Sequence, residues 1–232
     1  MAIEREKILD AALALLNDVG LDQFTTRRLA ERLGVQQPAL YWHFKNKSEL
    51  LDAMNGLMLS RYHADRLPSP GESWEDFTIA NAHSHRRALL AVRNGARLNA
   101  GTRPTTREFS DAERQLQLYV DAGFTAHEAF SIAISVSRYV VGFVLEEQDE
   151  RDRADDGETE WGDGDPLGEV APYPILSTAL RPLLEGGSIN TIGVFDAGLS
   201  YMVAGMRQSL ARNLASRAPA PARAPRRRTP RS

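Results

Sequence analysis

The sequence predicts an all-α protein with two parts: an N-terminal three-helix unit built on a helix-turn-helix, then a larger helical domain. Three observations carry this. Apolar residues recur at helical spacing almost throughout, and no stretch alternates as a strand would. Glycine and proline punctuate those segments. Two short helix patterns are joined across a single glycine turn, which is how a helix-turn-helix is spelled.

The first helix is expected over Arg5–Val19, with Ile8, Leu9, Ala12, Leu13, Leu15 and Leu16 as its apolar face and Gly20 as its stop. Thr25 is a natural cap for the second, whose Leu29, Ala30 and Leu33 face inward. Gly34 can take the left-handed turn. Pro38 then opens a short third helix, where its missing N–H costs little. Asn46 and Glu49 form a near capping box for a helix to about Tyr62. Leu67-Pro68-Ser69-Pro70-Gly71 reads as the boundary loop. Beyond it, helices are expected from Ser73 to about Val92, from Thr106 to Asp121, and from a second capping box at Thr125–Glu128 to Glu147. Further helical signals run over Tyr173–Leu184 and about Ile189–Leu214. The expected organisation is therefore 1–46 helix-turn-helix, 47–66 connecting helix and linker, 67–216 sensor domain with a disordered loop over 148–170, and 217–232 a disordered Arg/Pro-rich tail.

Composition excludes several classes. There is no cysteine, hence no disulfide frame, thiol nucleophile or cysteine-ligated metal. The N-terminus has mixed charge and lacks a signal-peptide pattern, and no unbroken apolar run of about 18 residues stands out, so a cytoplasmic protein away from the membrane is expected. Net charge is −3, so coating nucleic acid by bulk charge is not expected. Seven arginines and no acid follow Ala211; a solvated tail is the plainer reading of that run. No nucleophile–base spacing or glycine-rich phosphate loop is seen, so no enzyme is expected.

Residues 25–47 hold what a groove-reading helix needs: polar groups for base edges, small apolar groups for thymine methyls, and cations for phosphates. Arg27 can meet guanine and Gln37 adenine. Pro38, Ala39 and Tyr41 can meet a thymine methyl. Thr26, Tyr41, His43 and Lys47 can meet phosphate oxygens. Tyr41 and Trp42 are adjacent, so one is expected to pack and the other to face the backbone of a duplex.

In the second domain His63, Asn81, His83, His85, Asn99, Thr102, Arg103, Gln115 and Glu146 interrupt apolar helices. Unpaired polar groups are costly in a dry core, so these residues either face solvent or converge on a ligand. His83 and His85 lie two apart on a helix and face different ways, which disfavours a zinc pair. The helix over 126–147 is apolar nearly all round, and the last helix adds Val194, Phe195, Leu199, Tyr201, Met202, Val203 and Met206. Two such helices from each of two copies would make a four-helix bundle.

The run Phe24-Thr25-Thr26-Arg27-Arg28-Leu29-Ala30, then Leu33-Gly34-Val35, then Gln37-Pro38-Ala39-Leu40-Tyr41-Trp42-His43-Phe44-Lys45-Asn46-Lys47, resembles the signature of the TetR family of transcriptional regulators. The likeness extends to a tetracycline-repressor-type C-terminal domain through Gly71-Glu72-Ser73-Trp74, Arg86-Arg87-Ala88-Leu89-Leu90, Gly101-Thr102-Arg103-Pro104 and Val144-Leu145-Glu146-Glu147-Gln148. It covers about residues 3–150 well. It implies a homodimeric repressor on a palindromic double-stranded DNA operator, released by a small-molecule inducer and controlling an efflux pump. It implies Arg27 and Gln37 as base readers, Pro38 and Tyr41 at a thymine, and Thr26, Trp42, His43 and Lys47 near phosphates; Ala39 replaces the usual threonine. It implies a drug–magnesium chelate held at its polar edge by His63, Asn81 and Gln115. In that picture Thr102, Arg103 and Pro104 form the turn that moves, and Glu146 reaches the metal's water shell across the dimer. Two positions depart: Asn99 stands where the magnesium-ligating histidine belongs, and His85 where an aromatic wall belongs. An amide oxygen still suits Mg²⁺, so the metal stays open at this point. The alternatives are a same-fold regulator of a biosynthetic or metabolic gene that senses a non-chelate ligand, or a non-catalytic small-molecule-binding protein.

Overall fold

The computed structural model describes residues 4–103, 106–155, 165–186 and 188–217, and among them every regular element is helical. The helices are α1 (Arg5–Gln23), α2 (Thr26–Leu33), α3 (Pro38–Tyr41), α4 (Lys47–Tyr62), α5 (Trp74–Leu90), α6 (Gly95–Ala100), α7 (Thr106–Ala122), α8 (Ala126–Asp155), α9 (Pro166–Val170), α10 (Pro174–Glu185) and α11 (Ile192–Arg217).

Local chemistry sets most boundaries. The Arg28 N–H donates to Thr25 Oγ1 at 3.2 Å, the Glu49 N–H to Asn46 Oδ1 at 2.9 Å and the Asp76 N–H to Ser73 Oγ at 3.0 Å. Each bond satisfies a donor that the first helical turn leaves without a partner. Thr125 and Glu128 exchange bonds as a full capping box. Gly34 closes α2 at φ 66° and so permits the tight turn into α3. Gly20 does not end α1 as expected. It sits inside at φ 71°, kinks the helix, and the chain continues to Gln23.

α1, α2 and α3 pack around Ile8, Ala12, Leu16, Phe24, Leu29 and Leu40, closed from below by Leu50 and Met54 of α4. In the second part α8 is the spine, with α5, α6, α7 and α11 against it. Phe77, Leu89, Tyr119, Phe124, Val136, Val140, Val144 and Phe195 fill that core. α8 has the length and hydropathy of a membrane span, but it serves as the core helix of a bundle.

The acidic stretch expected as a loop over 148–170 is partly helix. α8 runs on to Asp155 and α9 covers Pro166–Val170; residues 156–164 lie outside the described residues, as do 218–232 of the expected tail. Gln148 explains the continuation. Its side chain is buried, its Nε2 donates to the Leu89 and Val92 carbonyls at 3.0 and 2.9 Å, and its Oε1 accepts from the Ala96 N–H at 3.1 Å. It thus caps both the end of α5 and the start of α6. Glu150 and Asp152 also have partners, in Ser188 and Asn190 and in Asn94. Composition alone made these acids look solvated.

The two parts are latched where α1 kinks. The Leu21 N–H donates to Asn94 Oδ1 at 2.9 Å, the Arg93 N–H to Asn17 Oδ1 at 2.8 Å, and Arg97 forks onto Asp22 at 2.7 and 2.8 Å. Asn94 holds a left-handed φ of 55° to present this amide.

Candidate DNA-reading face and ligand cavity

α2 and α3 present one exposed polar face. Arg27 is largely free in solvent; its Nε donates to Glu31 Oε1 at 3.0 Å. Gln37 precedes Pro38, and its Nε2 donates to Thr26 Oγ1 at 2.9 Å and to the Tyr41 hydroxyl at 3.4 Å. That pair of bonds orients the amide before any partner arrives. Pro38 is exposed beside Gln37, and Ala39 is half-buried. His43 is half-buried, its ring 6.5 Å from that of Phe44. Lys47, at the start of α4, donates from Nζ to the Phe24 carbonyl at 2.9 Å and so staples α4 to the end of α1. Tyr41 and Trp42 correct an expectation. Neither packs: Tyr41 is 46% and Trp42 89% exposed. α3 is four residues long, and Leu40 alone turns into the core. There is no second buried slot for an aromatic ring.

The second site is a cavity of about 250 Å³ between α5, α7 and α8, floored by the end of α4 and by α6. His63, Asn81, His85, Asn99 and Gln115 all line it. Two helical stripes face each other across it. Thr78, Asn81 and His85 stand on α5; Glu108, Asp111, Gln115 and Tyr119 stand on α7. Their spacings of three and four residues put each set on one helix face. Thr102, Arg103 and Glu146 are not among the lining residues of a single protomer; Glu146 is exposed on α8. Pro104 lies outside the described residues.

The polar network defines protonation states. The Asn81 amide donates to the Asp65 carbonyl at 3.1 Å and faces His63 Nε2 at 3.2 Å. An amide N–H₂ can only donate, so His63 Nε2 accepts and its proton sits on Nδ1. The His63 ring stacks on His85 at 5.2 Å. Burial pushes His63 down to about 4, with Arg66 and Arg87 contributing, and His85 down to about 3, so both are neutral near pH 7. Thr78 Oγ1 donates to the Trp74 carbonyl at 2.6 Å, so the Tyr119 hydroxyl is the donor in its 2.7 Å bond to Thr78. Gln115 Nε2 donates to the Arg66 carbonyl at 2.7 Å.

Arg66 and Asp111 are cavity residues that motif reading missed. Arg66 Nε lies 3.2 Å from Asp111 Oδ2, with both side chains mostly buried. Asp111 could have been found from its place four residues before Gln115. Arg66 follows the end of α4, outside any helical pattern, so the sequence carried no signal for it.

The cavity is wired to α4. Asn99 Nδ2 donates to the buried Asn55 Oδ1 at 3.0 Å, and the Arg103 N–H donates to Asp52 Oδ1 at 3.1 Å. Thr102 Oγ1 donates to the Asn99 carbonyl at 3.0 Å, completing the turn after α6.

Residues 8–54 match the family model described as bacterial regulatory proteins, tetR family, and residues 67–210 match the one described as Tetracyclin repressor-like, C-terminal domain. The chain belongs to the TetR family. Tetracycline repressor protein class A from transposon 1721 of Escherichia coli is 43% identical over 91% of this chain and 95% of its own length. The class G repressor of Vibrio anguillarum is 42% identical over 92% and 98%. Among solved structures, a TetR variant from Acinetobacter baumannii AYE in complex with minocycline superposes at TM-score 0.73, with 40% identity over 90% of this chain and 95% of that one. TetR(class A) in complex with 5a,6-anhydrotetracycline and magnesium superposes at 0.68, with 35% identity over 89% and 99%.

Does this TetR chain offer magnesium a comparable seat? The donor set does not fit. Asn99 supplies only a neutral amide oxygen, its N–H₂ group being spent on Asn55. Among the described residues no three His, Asp or Glu side chains converge. Of the two carboxylates on the lining, Asp111 is paired with Arg66 through Nε, and Glu108 has no two further such donors converging with it among the described residues.

Proposed function

We propose that this TetR-family chain is a homodimeric repressor that holds a palindromic operator through α2, α3 and the start of α4, and releases it when a small molecule fills the α5–α7–α8 cavity. The observation that carries this is the shared use of α4. Leu59 and His63, at its C-terminal end, line the cavity. Lys47, at its N-terminal end, is bonded into the reading unit. A ligand that shifts α6 or the end of α4 therefore acts on a rigid rod about 24 Å long, given 16 residues at 1.5 Å each. Only preferential binding to one reader spacing is required.

Arg27 and Gln37 are the proposed base readers, Pro38, Ala39 and Tyr41 the apolar contacts, and Thr26, Trp42, His43 and Lys47 the backbone contacts. Dimerisation is supported by apolar groups left in solvent along α8 and α11: Phe130 is 55%, Tyr201 77% and Val194 39% exposed. In the dimer Glu146 would come from the partner subunit's side of the cavity. A tetracycline or other polyketide-like inducer is supported by the complexes of related repressors, and control of an efflux pump by the same kinship. A DNA-binding rather than a catalytic or membrane role is supported by the exposed polar α2–α3 face and by kinship with regulatory proteins.

A gel-shift titration of the purified chain on inverted-repeat duplexes tests this. The expected result is one shifted species of dimer stoichiometry, salt-sensitive and abolished by scrambling either half-site. Equal affinity for scrambled duplexes would overturn it.

A further inference from the structure

Arg66 is the unabsorbed feature of the cavity. Its side chain is only 24% exposed, yet it lines two spaces: the 250 Å³ ligand cavity and a second of about 260 Å³ below it, bounded by Arg5, Asp52 and Gly56. Asp111 holds it through Nε, and among the described residues no hydrogen bond engages its two terminal nitrogens. Asp111 Oδ2 is itself fully buried without a hydrogen bond of good geometry, the Nε contact lying off axis. A buried carboxylate oxygen that lacks a directed donor is costly. So one wall of the cavity offers two free guanidinium nitrogens, held in place by a carboxylate oxygen that is itself enclosed. His63, His85, Asn81 and Gln115 add no charge, Glu108 adds a carboxylate on the α7 side, and the position where magnesium would be ligated holds Asn99.

We propose, building on the repressor reading above, that this cavity recognises its ligand without a metal, Arg66 binding an oxyanion on a planar aromatic acid or enol through the two terminal nitrogens that Asp111 leaves free. Those N–H groups are directed, charge-assisted donors, and their planar fork suits a carboxylate or a 1,3-dicarbonyl enolate. Asp111, too enclosed to meet the ligand itself, orients the fork through Nε.

The test uses 3-hydroxybenzoate, benzoate and 3-hydroxybenzyl alcohol as probes of the full chain in excess EDTA, by ligand-observed NMR and calorimetry. Weak saturable binding of 3-hydroxybenzoate is expected, about tenfold weaker for the neutral alcohol and within about twofold for benzoate. Arg66→Gln should remove the preference for the anion, and Arg66→Lys should restore part of it. Thermal melts and operator binding of each variant check that it folds. Anhydrotetracycline titrated with EDTA and with MgCl₂ completes the set, with less than about threefold dependence on magnesium expected. Absence of 3-hydroxybenzoate binding, binding unchanged by Arg66→Gln, or a hundredfold gain on adding magnesium would overturn the proposal. Operator binding that survives such a result leaves the repressor reading standing; a wild-type chain without operator binding fails that reading instead.

Discussion

At the scale of single residues, the proposed reading face consists of side chains that already have weak partners. On that proposal Arg27 must leave Glu31 to meet a base, and an ion pair this exposed contributes only about 0–1 kcal/mol. A bidentate contact to guanine is worth about 1–3 kcal/mol of discrimination, so the exchange favours DNA. Arg27→Ala should therefore cost about 1–3 kcal/mol and relax selectivity at one base position, measured by titrating a panel of single-substituted operators. Uniform weakening across the panel would instead make Arg27 a phosphate contact. The cavity histidines give a second expectation. Both have folded-state values far below the ordinary 6.5, so below pH 6.5 the unfolded chain binds protons that the folded one refuses. Stability should fall as pH drops from 6.5 toward about 4, by on the order of 1 kcal/mol per unit for each fully refusing group. His85→Phe, which removes the more deeply buried imidazole, should flatten the fall in melting temperature between pH 7 and 5. An unchanged slope would mean that the ring is not held neutral.

Elements were more legible than their ends. Thr25, Asn46, Ser73 and Thr125 announced four helix starts because capping is local chemistry, and each makes the expected bond. Gly20 and Gln148 misled because their partners are remote in sequence. Gly20 is a kink rather than a stop because Asn94, 73 residues beyond Leu21, takes the Leu21 N–H there. Gln148 looked like the start of a solvated loop, yet it satisfies the ends of two other helices. The same division holds in the cavity: Asn81 and Gln115 were readable as polar breaks in apolar helices, whereas Arg66 was not. Gly20→Ala should test the kink. A Cβ there would meet Asn94 Oδ1 at 3.0 Å, and φ 71° is strained for any other residue. A loss of about 1–2 kcal/mol in urea unfolding is expected, with the latch to Asn94 loosened. A neutral substitution would show that α1 can straighten without penalty.

For the whole molecule, the essential feature is that one rod serves two sites. α4 is bonded to the reading unit at Lys47 and touches the ligand cavity at His63, while Asn55 and Asp52 receive bonds from α6 and the turn after it. The latch of Asn17, Leu21 and Asp22 to Arg93, Asn94 and Arg97 carries the reading unit with the α5–α6 corner. Two such units in a dimer must lie about 34–36 Å apart to enter successive major grooves on one DNA face. A change of a few ångströms would forfeit one half-site. Because the chain has no cysteine, Gln36→Cys places a single spin label on the exposed turn before α3. Electron–electron double resonance between the two labels of a dimer measures the spacing directly. The expected result is a narrow distribution near 35 Å in the operator complex that widens by several ångströms when the cavity ligand releases the DNA. Superimposable distributions in the bound and released states, or no dipolar signal at all, would contradict the account.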